Sequence, residues 1–373
     1  MRPRVPFAPR MARLRAELDA ADADALLIDH AELLAWASGY TVSQTLWRAM
    51  IVPRRGDPVF VLRSIDAAPC RAGVWFPMVV AFDDHEEPES VVARECVALG
   101  LAEGRIAYDP TSYGFTVDTF ERLRAHLPTA TLVPIPGVSD RLRAAKFAEE
   151  IAVLERAAAI ADRTMLRLES ATTPGLRVRD VAAVAAASLL EYGGDDGGPG
   201  PILVSSGDID FLHGSGLDRV LAEGDVLHVE LTPRVENYGA RLMRPIFVGP
   251  PSSERVAVFD TLVRLQDAQI AAMRPGAEAR AVDALLRDAV LAEGLRPDYG
   301  NVTGYSMGLY GRTPRPSDFS FSFHPGADFR LEPGMVFHMY TSARGIAVSE
   351  TVLVGETDPR RLTQCPRRAL ATA

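Results

Sequence analysis

Apolar residues recur at helical spacing between Ala8 and Ala23, at Met11, Leu14, Leu18 and Ala21, and the run ALLID that follows (25–29) reads as a buried strand. MIVP (50–53) and DPVFVL (57–62) read as two more strands, with a turn at Arg55-Gly56 between them. The chain therefore opens as an alternating α/β module. It ends near Pro134 to Val138, where a proline-rich strand passes into a long charged helix from Asp140 to about Ser170. Thr173-Pro174-Gly175 closes that helix, and an alanine-rich helix runs from Arg179 to Glu191. The glycine-rich stretch GGDDGGPG (193–200) lacks a following Gly-Lys-Ser/Thr and reads as a flexible connection, not a phosphate loop. Strands then dominate, as PILVSSG, DVLHVELTP and RLMRPIFVG, followed by a helical interlude from Ser253 to Glu293 and the strands GMVFHMYT and SETVLVG. Two rounds of paired helices with antiparallel strands predict an internal duplication.

Composition narrows the partners. A length of 373 residues implies two or three domains with ample core. The apolar runs are too short to span a bilayer, and the N-terminal positive charge is not followed by the apolar stretch of a secretory signal. The cytoplasm is the expected compartment. A net charge of −9 argues against nucleic acid and anionic membranes and in favour of a small-molecule partner. Cys70, Cys96 and Cys365 are widely spread and form no CxxC pair, so neither disulfides nor a thiolate metal site is expected. Lys146 is the one lysine beside many arginines.

Several segments, in order, carry a resemblance. They are LDAADADALLIDHAELLAWASGY, RLRAAKFAEEIAVLERAAAI, LHGSGLDRVLAEGDVLHVEL, LEPGMVFHMY and SETVLVG. Together they resemble the creatinase and aminopeptidase P group, the pita-bread superfamily, over nearly the whole chain. The resemblance implies an α/β (α+β) protein with a creatinase-type N-terminal domain over 1–139 and a duplicated α-β catalytic domain over 140–373. It also implies a homodimer in which the N-terminal domain of one copy closes the pocket of the other.

Metal-dependent members of that group hold two cations with Asp, Asp, His, Glu and Glu. The corresponding positions here are Glu230, Arg241, Tyr305, Tyr340 and Ser349. Glu350 is adjacent to the last, but a one-residue shift in a strand turns a side chain to the other face. One carboxylate cannot hold two hard cations, and a guanidinium would repel them. The expectation is therefore no metal and no other cofactor.

Strand alternation places His228 with Glu230, and His338 with Tyr340. The resemblance adds His213, at the position of a substrate-contacting histidine, and Arg312, in place of a second one. An ectoine hydrolase-like, metal-free branch is the nearer match, through Gly304-Tyr305, Phe337-His338, the displaced Glu350, and Arg63 with Asp66-Ala67. Creatinase and ectoine hydrolase act on guanidino and amidine carbons. The sequence thus predicts a hydrolase of a non-peptide C–N bond in a small amidine, guanidino or amide compound bearing a carboxylate. Glu230 serves as nucleophile or base and His213 as proton donor. Substrate is bound by Arg241, Tyr305, Arg312, His228, His338, Tyr340 and Arg63, with Arg48 as an alternative to Arg63. Two other readings stand beside it: a catalytically silent binding protein, in which Glu230 forms a buried ion pair with Arg241 or Arg244, and an Xaa-Pro aminopeptidase or dipeptidase.

Overall fold

The computed structural model describes residues 7–41, 45–205, 207, 211–212, 214, 216–310 and 321–372, and the statements below concern these. The chain divides into two compact units, one built on residues up to Arg143 and including Leu309 and Tyr310, the other on residues from Ala144 onward.

The first unit runs α1 (Phe7–Ala20), β1 (Ala25–Ile28), α2 (Ala31–Ser38), β2 (Ala49–Pro53), β3 (Val59–Arg63), α3 (Ser64–Gly73), β4 (Met78–Phe82), α4 (Pro88–Ala98), β5 (Arg105–Tyr108), α5 (Val117–His126), β6 (Thr131–Pro134) and α6 (Val138–Ala144). Its described strands form a mixed sheet in the order β4-β3-β2-β1-β5-β6. β1 and β2 are buried along their whole length, because alternate residues face helices on the two sides of the sheet. Ala25, Leu27, Ile51, Val59 and Val61 meet Val91, Val92 and Cys96 of α4 on one of these faces.

The second unit contains α7 (Ala148–Ala171), α8 (Val178–Glu191), β7 (Ile202–Val204), β8 (Val226–Leu231), β9 (Arg234–Val235), β10 (Tyr238–Gly239), β11 (Leu242–Phe247), α9 (Ser253–Ala271), α10 (Ala279–Ala292), β12 (Gly304–Ser306), β13 (Ser322–Phe323), β14 (Val336–Ala343), β15 (Ile346–Val354), β16 (Pro359–Arg361) and β17 (Leu370–Ala371). Each helix pair is followed by its own sheet, β17-β11-β8-β7 after the first and β13-β12-β14-β15-β16 after the second. The duplicated pattern of the sequence is thus present in space.

One helix expected as continuous is interrupted. The charged helix breaks between α6 and α7, where Ala145 bridges to Met335 and the Lys146 amide bonds to the Gly334 carbonyl. Tertiary pairing there wins over helical propensity. The later interlude is the second helix pair, α9 and α10, divided at Pro275-Gly276, where proline cannot continue the hydrogen-bond ladder and Gly276 takes a positive φ of 81°. Among the described residues no helix is long and apolar enough to cross a membrane.

Candidate active site

Alternation along β8 sends Leu227, Val229 and Leu231 into a core shared with Met165, Leu168, Val181 and Ala185 of α7 and α8. His228 and Glu230 must then project from the opposite face. β14 does the same: Phe337 and Met339 pack with Val282 of α10 and Phe323, which leaves His338 and Tyr340 on the other side. Tyr305 is paired directly with His338 across β12 and β14, so it shares their face. Arg241 immediately precedes β11, and its backbone is held at both ends by Thr351, whose hydroxyl accepts from the Arg241 amide at 2.9 Å and donates to its carbonyl at 2.8 Å.

These elements bring five of the expected residues together. Arg241 Nη1 lies 3.2 Å from Glu230 Oε1 and donates a hydrogen bond to the Tyr305 hydroxyl. The Tyr305 ring meets His338 edge-on at 5.1 Å and Tyr340 at 5.9 Å, while His338 and Tyr340 stack at 5.3 Å. Glu230 is 2% exposed and His338 fully buried. His228 is buried edge-on to Phe211 at 5.1 Å.

Burial decides the protonation of three of these groups. It holds the His338 imidazole well below its ordinary value, with the Arg241 charge acting in the same direction, so the ring is neutral near pH 7. It pushes the Tyr305 and Tyr340 phenols upward, so both keep their protons. The site is a carboxylate beside a guanidinium, surrounded by neutral hydroxyls and an imidazole.

The donor set does not suit a pair of divalent cations. Glu230 is the one carboxylate of the five aligned positions, a guanidinium stands where the second would be, and the phenols resist ionisation. Ser349 accepts from the Met243 amide at 2.7 Å. Glu350 points to the other face, paired with Arg244 at 2.6 Å and hydrogen-bonded by Thr363. Of the two arginines considered as partners for Glu230, Arg241 therefore fills that place. Among the described residues no three His, Cys, Asp or Glu side chains are grouped to hold a metal.

Residues 10–145 match the creatinase/prolidase N-terminal domain, and residues 152–356, more than half of the chain, match metallopeptidase family M24. The chain belongs to family M24. It combines the creatinase-like N-terminal domain with the pita-bread fold of that family. Its M24 relatives include an ectoine hydrolase of Halomonas elongata, 24% identical over 97% of this chain and 96% of the relative. An Xaa-Pro dipeptidase of Pyrococcus furiosus is 27% identical over 63% of this chain and 68% of the relative. The solved Xaa-Pro dipeptidase of Bacillus anthracis superposes with a TM-score of 0.82 at 19% identity, covering 98% of this chain and 99% of its own. This M24 member is thus a hydrolase by family.

His213 and Arg312 lie outside the described residues. Arg63 belongs to the first unit, where it pairs with Asp84. Arg48 is buried in the same unit beside Asp29. Sequence reasoning missed two residues that shape the site. Asn301 donates to the Tyr340 hydroxyl at 3.2 Å. Gly200 packs so closely on Glu230 that an added Cβ would stand 2.8 Å from its carbonyl oxygen and 2.9 Å from its Cγ. The signal for Gly200 was present in the Gly-Pro that ends the glycine-rich stretch, since Pro201 goes on to accept the Glu230 amide at 2.9 Å. No pattern in the sequence marks Asn301.

Proposed function

We propose that this M24 member is a metal-independent hydrolase of a non-peptide C–N bond in a small amidine, guanidino or amide compound. The observation that carries the reading is the buried Glu230 carboxylate 3.2 Å from Arg241, at positions that metal-dependent relatives use for two metal ligands. Without metal-bound water a nucleophile must come from elsewhere. Glu230, paired with the adjacent guanidinium, deprotonates water or attacks the carbon itself. His213 protonates the departing nitrogen, a role that rests on the resemblance alone. Arg241, Tyr305, Arg312, His228, His338 and Tyr340 bind substrate. Arg63 reaches the substrate carboxylate in a second copy of the chain, within a cytoplasmic homodimer. Similarity to an ectoine hydrolase over 97% of this chain supports this reading, and the Xaa-Pro dipeptidases among its relatives keep the peptidase reading beside it.

Turnover of ectoine, creatine and short Xaa-Pro peptides, with and without chelator, tests it. The expected result is chelator-resistant hydrolysis of a non-peptide compound, lost by roughly 10²- to 10⁴-fold in Glu230→Gln while ligand binding persists. Near two equivalents of bound manganese, zinc or cobalt with chelator-sensitive activity would overturn it. Cleavage of the Xaa-Pro peptides alone would establish instead the dipeptidase activity for which the Pyrococcus furiosus relative is named.

A further inference from the structure

Asn301 sits between Arg296 and Tyr340. Arg296 Nη1 donates to Asn301 Oδ1 at 3.0 Å, and since arginine only donates, the amide oxygen must lie on that side. The amide nitrogen then faces two oxygens, donating to the Val302 carbonyl at 3.0 Å and to the Tyr340 hydroxyl at 3.2 Å. Arg296 is itself held against the Tyr299 ring, 4.0 Å from its centroid, and the Tyr299 hydroxyl donates to Thr341 at 3.3 Å, next in the chain to Tyr340.

A phenol that accepts a hydrogen bond keeps its own proton to give away. Among the described residues Tyr340 donates to none. Its ring shares a face with Tyr305 and His338, and Glu230 and Arg241 lie close enough for both to act on its titration. The guanidinium behind Asn301 polarises the amide, which in turn strengthens the phenol as a donor.

We propose that Tyr340 is a catalytic hydrogen-bond donor to a carbonyl oxygen of the substrate, with Asn301 as the positioning residue that aims it. The inference rests on the hydrolase reading above and narrows it to the amide or ureido class. Arg241 and Tyr340 both offer protons, and a neutral amide carbonyl can accept them, whereas an amidinium carries N–H donors only. In the step, water oxygen bonds to the carbonyl carbon as Glu230 takes the water proton. The C=O π pair moves onto oxygen, where the Tyr340 O–H stabilises it without transferring its proton. The pair then returns, the C–N bond breaks, and the nitrogen leaves with a proton from the donor proposed above, to which Glu230 passes on the proton it took from water.

A test independent of turnover uses 4-nitrophenolate as an oxyanion probe, titrated into the Glu230→Gln protein, where the repelling carboxylate is gone. Binding with a blue-shifted phenolate band is expected. Tyr340→Phe, which keeps the ring contacts, weakens binding by roughly tenfold and removes the shift, and Asn301→Ala weakens it to a lesser degree. No binding to Glu230→Gln, or equal binding and shift in Tyr340→Phe, would overturn the proposal. If Glu230→Gln retained full turnover, the hydrolase mechanism would fall while the probe result stood by itself. With any compound that is turned over, Tyr340→Phe should lower kcat on the order of 10²-fold with little change in KM. A raised KM with unchanged kcat would also sink the donor role, because it marks a contact equal in ground and transition states.

Discussion

Two buried glutamates with arginine partners separate function from stability. Glu230 faces Arg241 and two phenols, and its environment is that of a site. Glu350, at 0% exposure, is enclosed by Arg244 at 2.6 Å, Arg367 at 3.5 Å and Arg361 at 3.6 Å, with Thr363 hydrogen-bonded to it. Arg367 also pairs with Asp267, but removing Glu350 takes from Arg244 its buried carboxylate partner, and breaking a buried pair in this way costs about 3–5 kcal/mol. Glu350→Ala is therefore expected to lower the urea midpoint strongly, while the folded fraction keeps its turnover per molecule. A midpoint within error of wild type would show that the arginine cluster has no need of this carboxylate. Glu230→Gln should give the opposite pattern, with turnover lost and folding retained.

At the scale of elements, the site follows from strand alternation fixed by core packing, and this is why much of it was legible. The apolar positions of β8 and β14 leave His228, Glu230, His338 and Tyr340 no choice of face. The one-residue offset that separates Ser349 from Glu350 was readable for the same reason, and the structure pairs Tyr340 with Ser349 and Met339 with Glu350. What was not legible depends on contacts between distant segments. The break at Lys146 comes from bonding to Gly334, and the role of Asn301 comes from Arg296 and Tyr340 converging on it. The Gly200 contact is of this kind as well, and it carries a prediction. With backbone and Cγ of Glu230 inside 3.0 Å of an added methyl, Gly200→Ala must displace the strand or the carboxylate. Overpacking of this sort costs about 1–3 kcal/mol. Turnover should fall by more than that loss of stability explains, because the displaced group is the reacting one. Unchanged turnover in a folded Gly200→Ala protein would mean that the Glu230 position is not critical.

Over the whole molecule, the response of stability to pH is a sum over buried carboxyls of opposite sign. Asp29 of the first unit accepts from Trp47 at 3.2 Å and lies beside Arg48, yet burial outweighs these partners and pushes its carboxyl up to about 6. Folding therefore favours its protonated form. Its contribution is fully present below the unfolded value near 4 and is lost as pH rises through about 6. In the same unit, Glu32 and Asp109 run the other way. Burial raises both, but His30 and Arg143 around Glu32, and the Ser139 and Thr111 groups bonded to Asp109, bring them below their ordinary values. Their stabilisation is present at neutral pH and fades in acid. The two trends oppose each other, so the wild-type curve alone does not isolate Asp29. The difference between wild type and Asp29→Asn does, since every other group titrates in both proteins. Wild type should lose about 2–3 kcal/mol relative to Asp29→Asn between pH 4 and pH 8, most of it between about pH 4 and pH 6. Chemical denaturation across that range measures it. A difference that stays flat with pH would mean that Asp29 is solvated or fully compensated by Arg48, and that the polar cluster of the first unit is looser than its burial implies.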